Sequence, residues 1–236
     1  NGFLSNGEKV SFTSLNFDNT FEYYVKNGGA FVVSLFYKSF KNFIADQVLL
    51  DTPYPEELNR IFPIESQITN GLVFDITKPQ NITNASIYGF EVGFNHHFTK
   101  LPGFLSGFGL QANYTFVESD FDESIGDAIS FPGSSKHSIN SVLYYQKYGF
   151  TARYTVAYRN SYLSELGFGS TREDASRFTD ARTIHGIILQ YNINRKLLIQ
   201  GGVQNITAEP VRRFIGNDSR NLTDMFGQNA SWFAAV

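Results

Sequence analysis

Along much of the chain, apolar and polar residues alternate with a period of two. From Phe108 to Val117 one set of alternate positions holds Phe108, Leu110, Ala112, Tyr114 and Phe116, and the other Gly109, Gln111, Asn113, Thr115 and Val117. Successive strand side chains point to opposite faces, so this segment has one greasy and one largely polar face. Phe150–Arg159 repeats the pattern, as does Leu15–Val25, where only Asn19 interrupts the apolar side. The pattern predicts about nine strands: Leu15–Val25, Phe31–Lys41, Tyr88–Phe98, Phe108–Val117, Ser138–Gln146, Phe150–Arg159, Arg182–Asn192, Lys196–Asn205, and a last one from Ser231 to the end. His185 falls on the apolar side of its strand, and the faces of Ser138–Gln146 are ambiguous. Pro53–Ile61 is the one place where a short helix is expected.

The connections between these strands alternate in length. Asn27–Gly29, Lys147–Gly149 and Asn192–Arg195 are tight, and Thr99–Gly107 is of medium length. Asp46–Ser86, Ser119–Lys136, Asn160–Ala181 and Ile206–Ala230 are long and polar. Short turns at one end and long loops at the other are the layout of an outer-membrane β-barrel. A soluble sandwich has no such alternation. The polar face carries Glu22, Glu91, Gln111, Arg153, Arg159 and Gln190, which suits a wet or plugged lumen. The apolar face carries Tyr23, Tyr37, Phe98, Tyr145, Tyr158 and Tyr191 towards strand ends, as aromatic girdles at a lipid boundary would.

Composition agrees with this. Phe 24, Tyr 13 and Gly 20, against Pro 7, suit strands joined by tight turns. The mean hydropathy of −0.20 is that of an alternating barrel as much as of a soluble protein. No run of about eighteen apolar residues is present, so no transmembrane helix is expected. Cysteine is absent, which excludes disulfides and thiol chemistry. A net charge of −3 gives no basic field for nucleic acid. The opening Asn1-Gly2-Phe3-Leu4 has no signal-peptide character, and a start inside a longer protein is expected.

Several stretches resemble the C-terminal barrel of TonB-dependent outer-membrane receptors. SLNFDNTFEYYVKNGGAFVVSLFYKSFKNFI (Ser14–Ile44) resembles that family's recurring hairpin, and ASIYGFEVGF (Ala85–Phe94) its strand carrying Gly-Phe-Glu. LPGFLSGFGLQANYTFVES (Leu101–Ser119) and FPGSSKHSINSVLYYQKYGFTARYTVAYR (Phe131–Arg159) resemble the strands that follow. VQNITAEPVRRFIGNDSR (Val203–Arg220) is similar to the late Asn-x-Thr-x-x-Pro segment. The resemblance implies an all-β antiparallel transmembrane barrel of roughly 22 strands, of which residues 1–236 would be a single partial domain. It implies active uptake of a scarce ligand such as a siderophore, vitamin or oligosaccharide. It also implies a plug domain and a TonB complex as partners through an N-terminal part that precedes residue 1, beside the lipid bilayer and lipopolysaccharide. The alternatives are a self-contained small barrel acting as a pore or surface-binding protein, and an outer-membrane hydrolase. An odd strand number leaves two open edges, which lipid does not tolerate, so a piece of a larger barrel or one completed by another chain is expected.

Candidate chemistry is sparse. Arg suits bidentate recognition of carboxylate or phosphate, so Arg153 and Arg159 on the lumen face, and Arg212, Arg213 and Arg220 in the last long loop, are the candidate ligand contacts. The competing reading of the loop arginines is ion pairing with Asp218, Asp224 and neighbouring loops. No catalytic residue, metal site or cofactor is expected. His96 and His97 are adjacent on a strand and point to opposite faces. Glu118, Asp120, Asp122, Glu123 and Asp127 form an acidic loop, but Ile125 and Phe131 stand where an EF-hand needs Gly and Glu. Ser134 and His137 lack an evident orienting acid. Asn-x-Ser/Thr triplets begin at Asn81, Asn84, Asn113, Asn205, Asn217, Asn221 and Asn229, and are read as surface composition, not glycan sites.

Overall fold

The structure, a computed structural model, describes residues 10–26, 28–53, 73–82, 84–121, 131–165, 176–216 and 221–236. In chain order its strands are β1 (Thr13–Val25), β2 (Gly29–Lys41), β3 (Phe43–Pro53), β4 (Val73–Ile82), β5 (Ala85–His97), β6 (Phe108–Phe121), β7 (His137–Lys147) and β8 (Phe150–Arg159). They continue as β9 (Tyr162–Glu165), β10 (Arg177–Thr179), β11 (Arg182–Asn194), β12 (Leu197–Gln204), β13 (Val211–Ile215), β14 (Leu222–Phe226) and β15 (Ser231–Ala235). A 9-stranded antiparallel sheet runs β1-β2-β5-β6-β7-β8-β11-β12-β15, and its members are the nine strands expected from the alternation. Among the described residues β1 and β15 do not pair with each other, so the sheet is open.

The register shows why the alternation matters. On one face Phe21 stands opposite Val33, Val33 opposite Val92, Val92 opposite Tyr114, Tyr114 opposite Ile139, and Ile139 opposite Tyr158. A parallel row runs Leu110, Leu143, Tyr154, Ile187, Val203 and Trp232. The other face carries the row Thr20, Ser34, Glu91, Thr115, Ser138, Arg159 and Arg182. Cross-strand hydrogen bonds on that face join Thr20 Oγ1 to Ser34 Oγ at 3.0 Å and Gln190 Nε2 to Gln200 Oε1 at 2.9 Å. Pairing also resolves the ambiguous strand: Ile139, Leu143 and Tyr145 of β7 join the apolar face, and Ser138, Asn140 and Gln146 the polar one.

The apolar face is not buried by protein. Leu15 is 71% exposed, Phe17 62%, Leu143 45% and Trp232 80%, whereas the only buried hydrophobic residues among those described are Ala85, Leu163 and Phe214. A soluble domain hides its large apolar side chains, and apolar patches of this extent mark contact with lipid or partner. A sheet greasy on its outer face and polar on its inner one is therefore a membrane barrel wall. Two of the three histidines on the greasy face, His137 and His185, are satisfied locally, whereas the third, His96, keeps a buried Nδ1 without a hydrogen-bond partner. Tyr114 Oη lies 2.8 Å from His137 Nδ1, and Tyr154 Oη 2.7 Å from His185 Nδ1, with the rings stacked in both pairs. A neighbouring tyrosine hydroxyl thus gives the His137 and His185 rings a partner where lipid cannot.

The tight turns lie at one rim. Lys147 and Phe150 pair directly across Tyr148–Gly149, whose φ values of 56° and 74° are both positive, as a two-residue hairpin turn with the twist of its strands requires. The β5–β6 connection holds a short 3-10 turn, Gly103–Gly107. The other rim departs from expectation. Three long connections expected as loops contain strands: β3–β4 between β2 and β5, β9–β10 between β8 and β11, and β13–β14 between β12 and β15. Strands of three to five residues are too short to print a periodicity, and β4 carries Pro79, which a two-stranded ladder tolerates because every strand in it is an edge. The possible helix at Pro53–Ile61 falls outside the described residues beyond Pro53, which ends β3.

Candidate functional site

The long-connection rim is tied together across chain-distant segments. β9, β10, β13 and β14 form a 4-stranded sheet in the order β14-β13-β10-β9, joining the β8–β11 connection to the β12–β15 connection. Leu163, Phe178 and Phe214 share one of its faces by register, with Phe178 stacked on Phe214 at 5.5 Å. Leu163 is fully buried, so this face forms a small core at the rim. An isolated bridge between Ser135 and Tyr162 adds the β6–β7 connection, and Gly133 N donates to Leu163 O at 2.7 Å.

Asn205 is the main clamp of this rim. It is 7% exposed and holds a left-handed φ of 52°. Its Nδ2 donates to Glu209 O at 3.2 Å and Gln228 O at 2.9 Å, and its Oδ1 accepts from Glu209 N at 3.0 Å. Asparagine is among the few residues that tolerate this backbone region, and its amide supplies both donor and acceptor. The sequence marks it as the head of a glycosylation triplet and of the Asn-x-Thr-x-x-Pro segment, and its side chain is buried in the clamp.

The candidate arginines separate into different environments. Arg153 is exposed on the polar face, between Tyr144 of β7 and Ile188 of β11 by register. Arg159, the last residue of β8, is exposed on the same face, its guanidinium 3.8 Å from the ring centroid of Tyr162 and its Nη2 donating to Gly133 O. Arg212 pairs with Glu209 at 3.6 Å. Arg213 lies on the other face of β13, over the Phe226 ring at 5.3 Å and opposite Asp224 across β13–β14; its Nε is buried without a hydrogen-bond partner. Arg220 and Asp218 lie outside the described residues, as do Asp122, Glu123 and Asp127 of the acidic loop. Among the described residues, Arg212 is the loop arginine with an ion pair, to Glu209.

One arginine escaped the sequence reading. Arg182, the first residue of β11, stands directly opposite Arg159. Its Nη2 donates to Glu209 O at 3.2 Å and to Gln228 Oε1. Two arginines bounding one long connection, one ending a strand and one starting the next, must meet once those strands pair as a hairpin, and that spacing was the available signal.

Elsewhere the rim is ordinary. Lys136 Nζ bonds Glu118 Oε1 at 2.9 Å, and this hydrogen bond, with the carboxylate's charge, raises the Lys136 ammonium above its ordinary value. Both side chains are more than a third exposed, so solvent screens the pair. Ser134 sits in a turn with its N–H on Phe131 O, and the ring of His137 faces Tyr114. Among the described residues no three His, Asp or Glu side chains converge as metal ligands.

The fold has close counterparts among solved structures. The siderophore receptor PirA from Acinetobacter baumannii is 17% identical, with a TM-score of 0.60 over 94% of this chain and 31% of that one. A ferric enterobactin receptor variant from Pseudomonas aeruginosa, solved with enterobactin, is 16% identical, with a TM-score of 0.62 over 94% of this chain and 30% of that one. The copper transporter OprC is 12% identical, with a TM-score of 0.60 over 95% of this chain and 31% of that one. The chain thus spans less than a third of the length of these proteins. No curated protein sequence matches. Residues 2–206 match the model of the TonB dependent receptor-like β-barrel, and with the greasy outer face, the polar inner face and the rim of long connections this settles the family: the chain belongs to the TonB-dependent receptor β-barrels of the Gram-negative outer membrane.

Proposed function

We propose that this chain is the C-terminal part of the barrel of a TonB-dependent receptor that takes up a scarce ligand too large for passive pores. The ligand class is a siderophore, a vitamin or an oligosaccharide. The observation that carries the reading is the two-faced, open nine-stranded sheet, whose greasy side meets lipid and whose polar side faces a lumen that a plug domain would fill. The open sheet favours a share in a larger barrel over a self-contained small one, because an unpaired backbone group in lipid costs several kcal/mol. The protein is a carrier and not a catalyst. Its outer rim contacts lipopolysaccharide, its lumen face contacts the plug, and energy comes from the TonB complex acting on that plug. Arg153, Arg159, Arg212, Arg213 and Arg220 are the proposed contributions of this segment to ligand contact.

Uptake by cells producing the whole receptor tests this. Radiolabelled ferric siderophore extract, cyanocobalamin and maltooligosaccharide would each be supplied with and without a TonB deletion. TonB-dependent accumulation of one of them is expected. Accumulation of several small solutes regardless of TonB would replace the reading with a passive pore.

A further inference from the structure

The rim sheet repeats the order of the wall. β9 follows β8 after two residues, β10 precedes β11 by two, β13 follows β12, and β14 precedes β15. The rim order β9-β10-β13-β14 is therefore the wall order β8-β11-β12-β15. Each rim strand belongs to the wall strand it adjoins in the chain.

The two ends of the rim sheet differ. At β9 the edge is covered, because Ser135 bridges to Tyr162 and Gly133 N donates to Leu163 O at 2.7 Å. Both residues belong to the β6–β7 connection, which leads into β7, the wall neighbour of β8. At β14 no described segment pairs with the outer side. An apolar row across the sheet records the difference. Leu163 stands opposite Phe178, Phe178 opposite Phe214, and Phe214 opposite Leu222. At the covered end Leu163 is fully buried; at the bare end Leu222 is 46% exposed, and Met225 and Phe226 are exposed beside it. An open ladder edge with apolar side chains beside it is a template for a further strand, which gains main-chain hydrogen bonds and side-chain contacts together.

What covers β9 indicates what covers β14. The edge of β9 is met by the connection of the next wall strand along. Beyond β15, the next wall strand is the one that its own bare edge requires in lipid. We propose that β14 is completed by strand addition from the receptor itself: an extended segment of the long connection joined to the wall strand that pairs with β15 forms a ladder with β14 and sets apolar side chains against Leu222. The inference rests on the reading of the chain as part of a larger barrel. It goes beyond that reading by carrying the rim sheet, and not only the wall, across the seam at β15.

The test uses the whole receptor, purified in detergent. Amide hydrogen exchange of the wild type is read over Leu222–Phe226 of β14 and over Arg177–Thr179 of β10, which has ladder partners on both sides. Every β14 amide should exchange at least about ten-fold slower than in an unstructured chain, as those of β10 do. Alternate β14 amides exchanging at the unstructured rate would overturn the proposal, because a strand paired on one side leaves them to water. Photo-crosslinking then names the occupant. Leu222 and Met225 are each replaced by p-benzoylphenylalanine, and variants that keep the heat-sensitive folded form are irradiated. A cross-link within one receptor chain, mapped to a segment outside residues 1–236, is expected. A cross-link between two copies would make a second receptor the occupant and overturn the proposal. Cross-links confined to residues 1–236, or none from either position, would also overturn it. Folded receptor with an open β14 edge would sink this inference alone and leave the larger barrel standing.

Discussion

Asn205 shows how much of the rim rests on single side chains. Its amide makes three hydrogen bonds from a buried position, and its backbone sits where a Cβ is unfavourable. Changing Asn205 to Ala removes the bonds and keeps the strain; changing it to Gly removes the bonds and relieves the strain. Stability should fall in the order Asn, Gly, Ala, with Ala costing about 2–4 kcal/mol from the lost bonds and a left-handed alanine. Thermal unfolding of the purified receptor, with protease cleavage of the connection Ile206–Ala230, measures it. Ala and Gly variants of equal stability would remove backbone strain from the account. Other residue-scale features have the same non-local origin. Phe36, Tyr144 and Phe233 sit on the polar face directly opposite Gly89, Gly109 and Gly202. A Cβ on Gly202 would come within 2.7 Å of the Phe233 ring and 2.8 Å of Ile187 O, so the glycine makes room for the aromatic ring. Alternation along a single strand reveals none of this, because the partner of each glycine lies on another strand. The opposition of Arg159 and Arg182 escaped for the same reason.

At the scale of the strand the sequence is far more legible, because period two is a local property. All nine wall strands were visible in it, with ends shifted by a few residues, as at β2, which begins at Gly29 where the hairpin turn closes. The rim strands were not, since β9, β10, β13 and β14 join through pairing between connections that are far apart in the chain. Adjacent residues of β7 give the sharpest test of the two faces. Leu143 lies between Leu110 and Tyr154 on the greasy side, and Val142 between Gln111 and Thr155 on the polar side. Leu143→Arg should cost about 2–4 kcal/mol, the range for a cationic side chain forced into the middle of a bilayer, while Val142→Arg should leave assembly close to wild type. The measured quantity is the fraction of receptor that reaches the outer membrane in the heat-sensitive folded form. Equal loss for both variants would mean that both faces are packed against protein, and the membrane-wall assignment would fail.

The whole molecule is governed by its edges. β1 and β15 flank the sheet, and the outward edge of each carries backbone N–H and C=O groups with no ladder partner among the described residues. On β1, a strand of 13 residues, roughly half of these groups face outward. In water they would be solvated; in lipid each costs several kcal/mol, so one bare edge of this length exceeds the net stability of about 5–15 kcal/mol typical of a folded domain. Contact of the greasy face with lipid leaves these edge groups unpaired. The 236 residues produced alone and refolded in detergent should therefore give aggregated or partly ordered β-structure, with no mobility difference between unheated and heated samples on a gel. The whole receptor should give that difference, because further strands cover both edges. Strong β-type circular dichroism together with a heat-sensitive mobility shift from the 236 residues alone would mean that β1 and β15 find each other. In that case nine strands close by themselves, and the wall of a large plugged barrel gives way to a small autonomous pore.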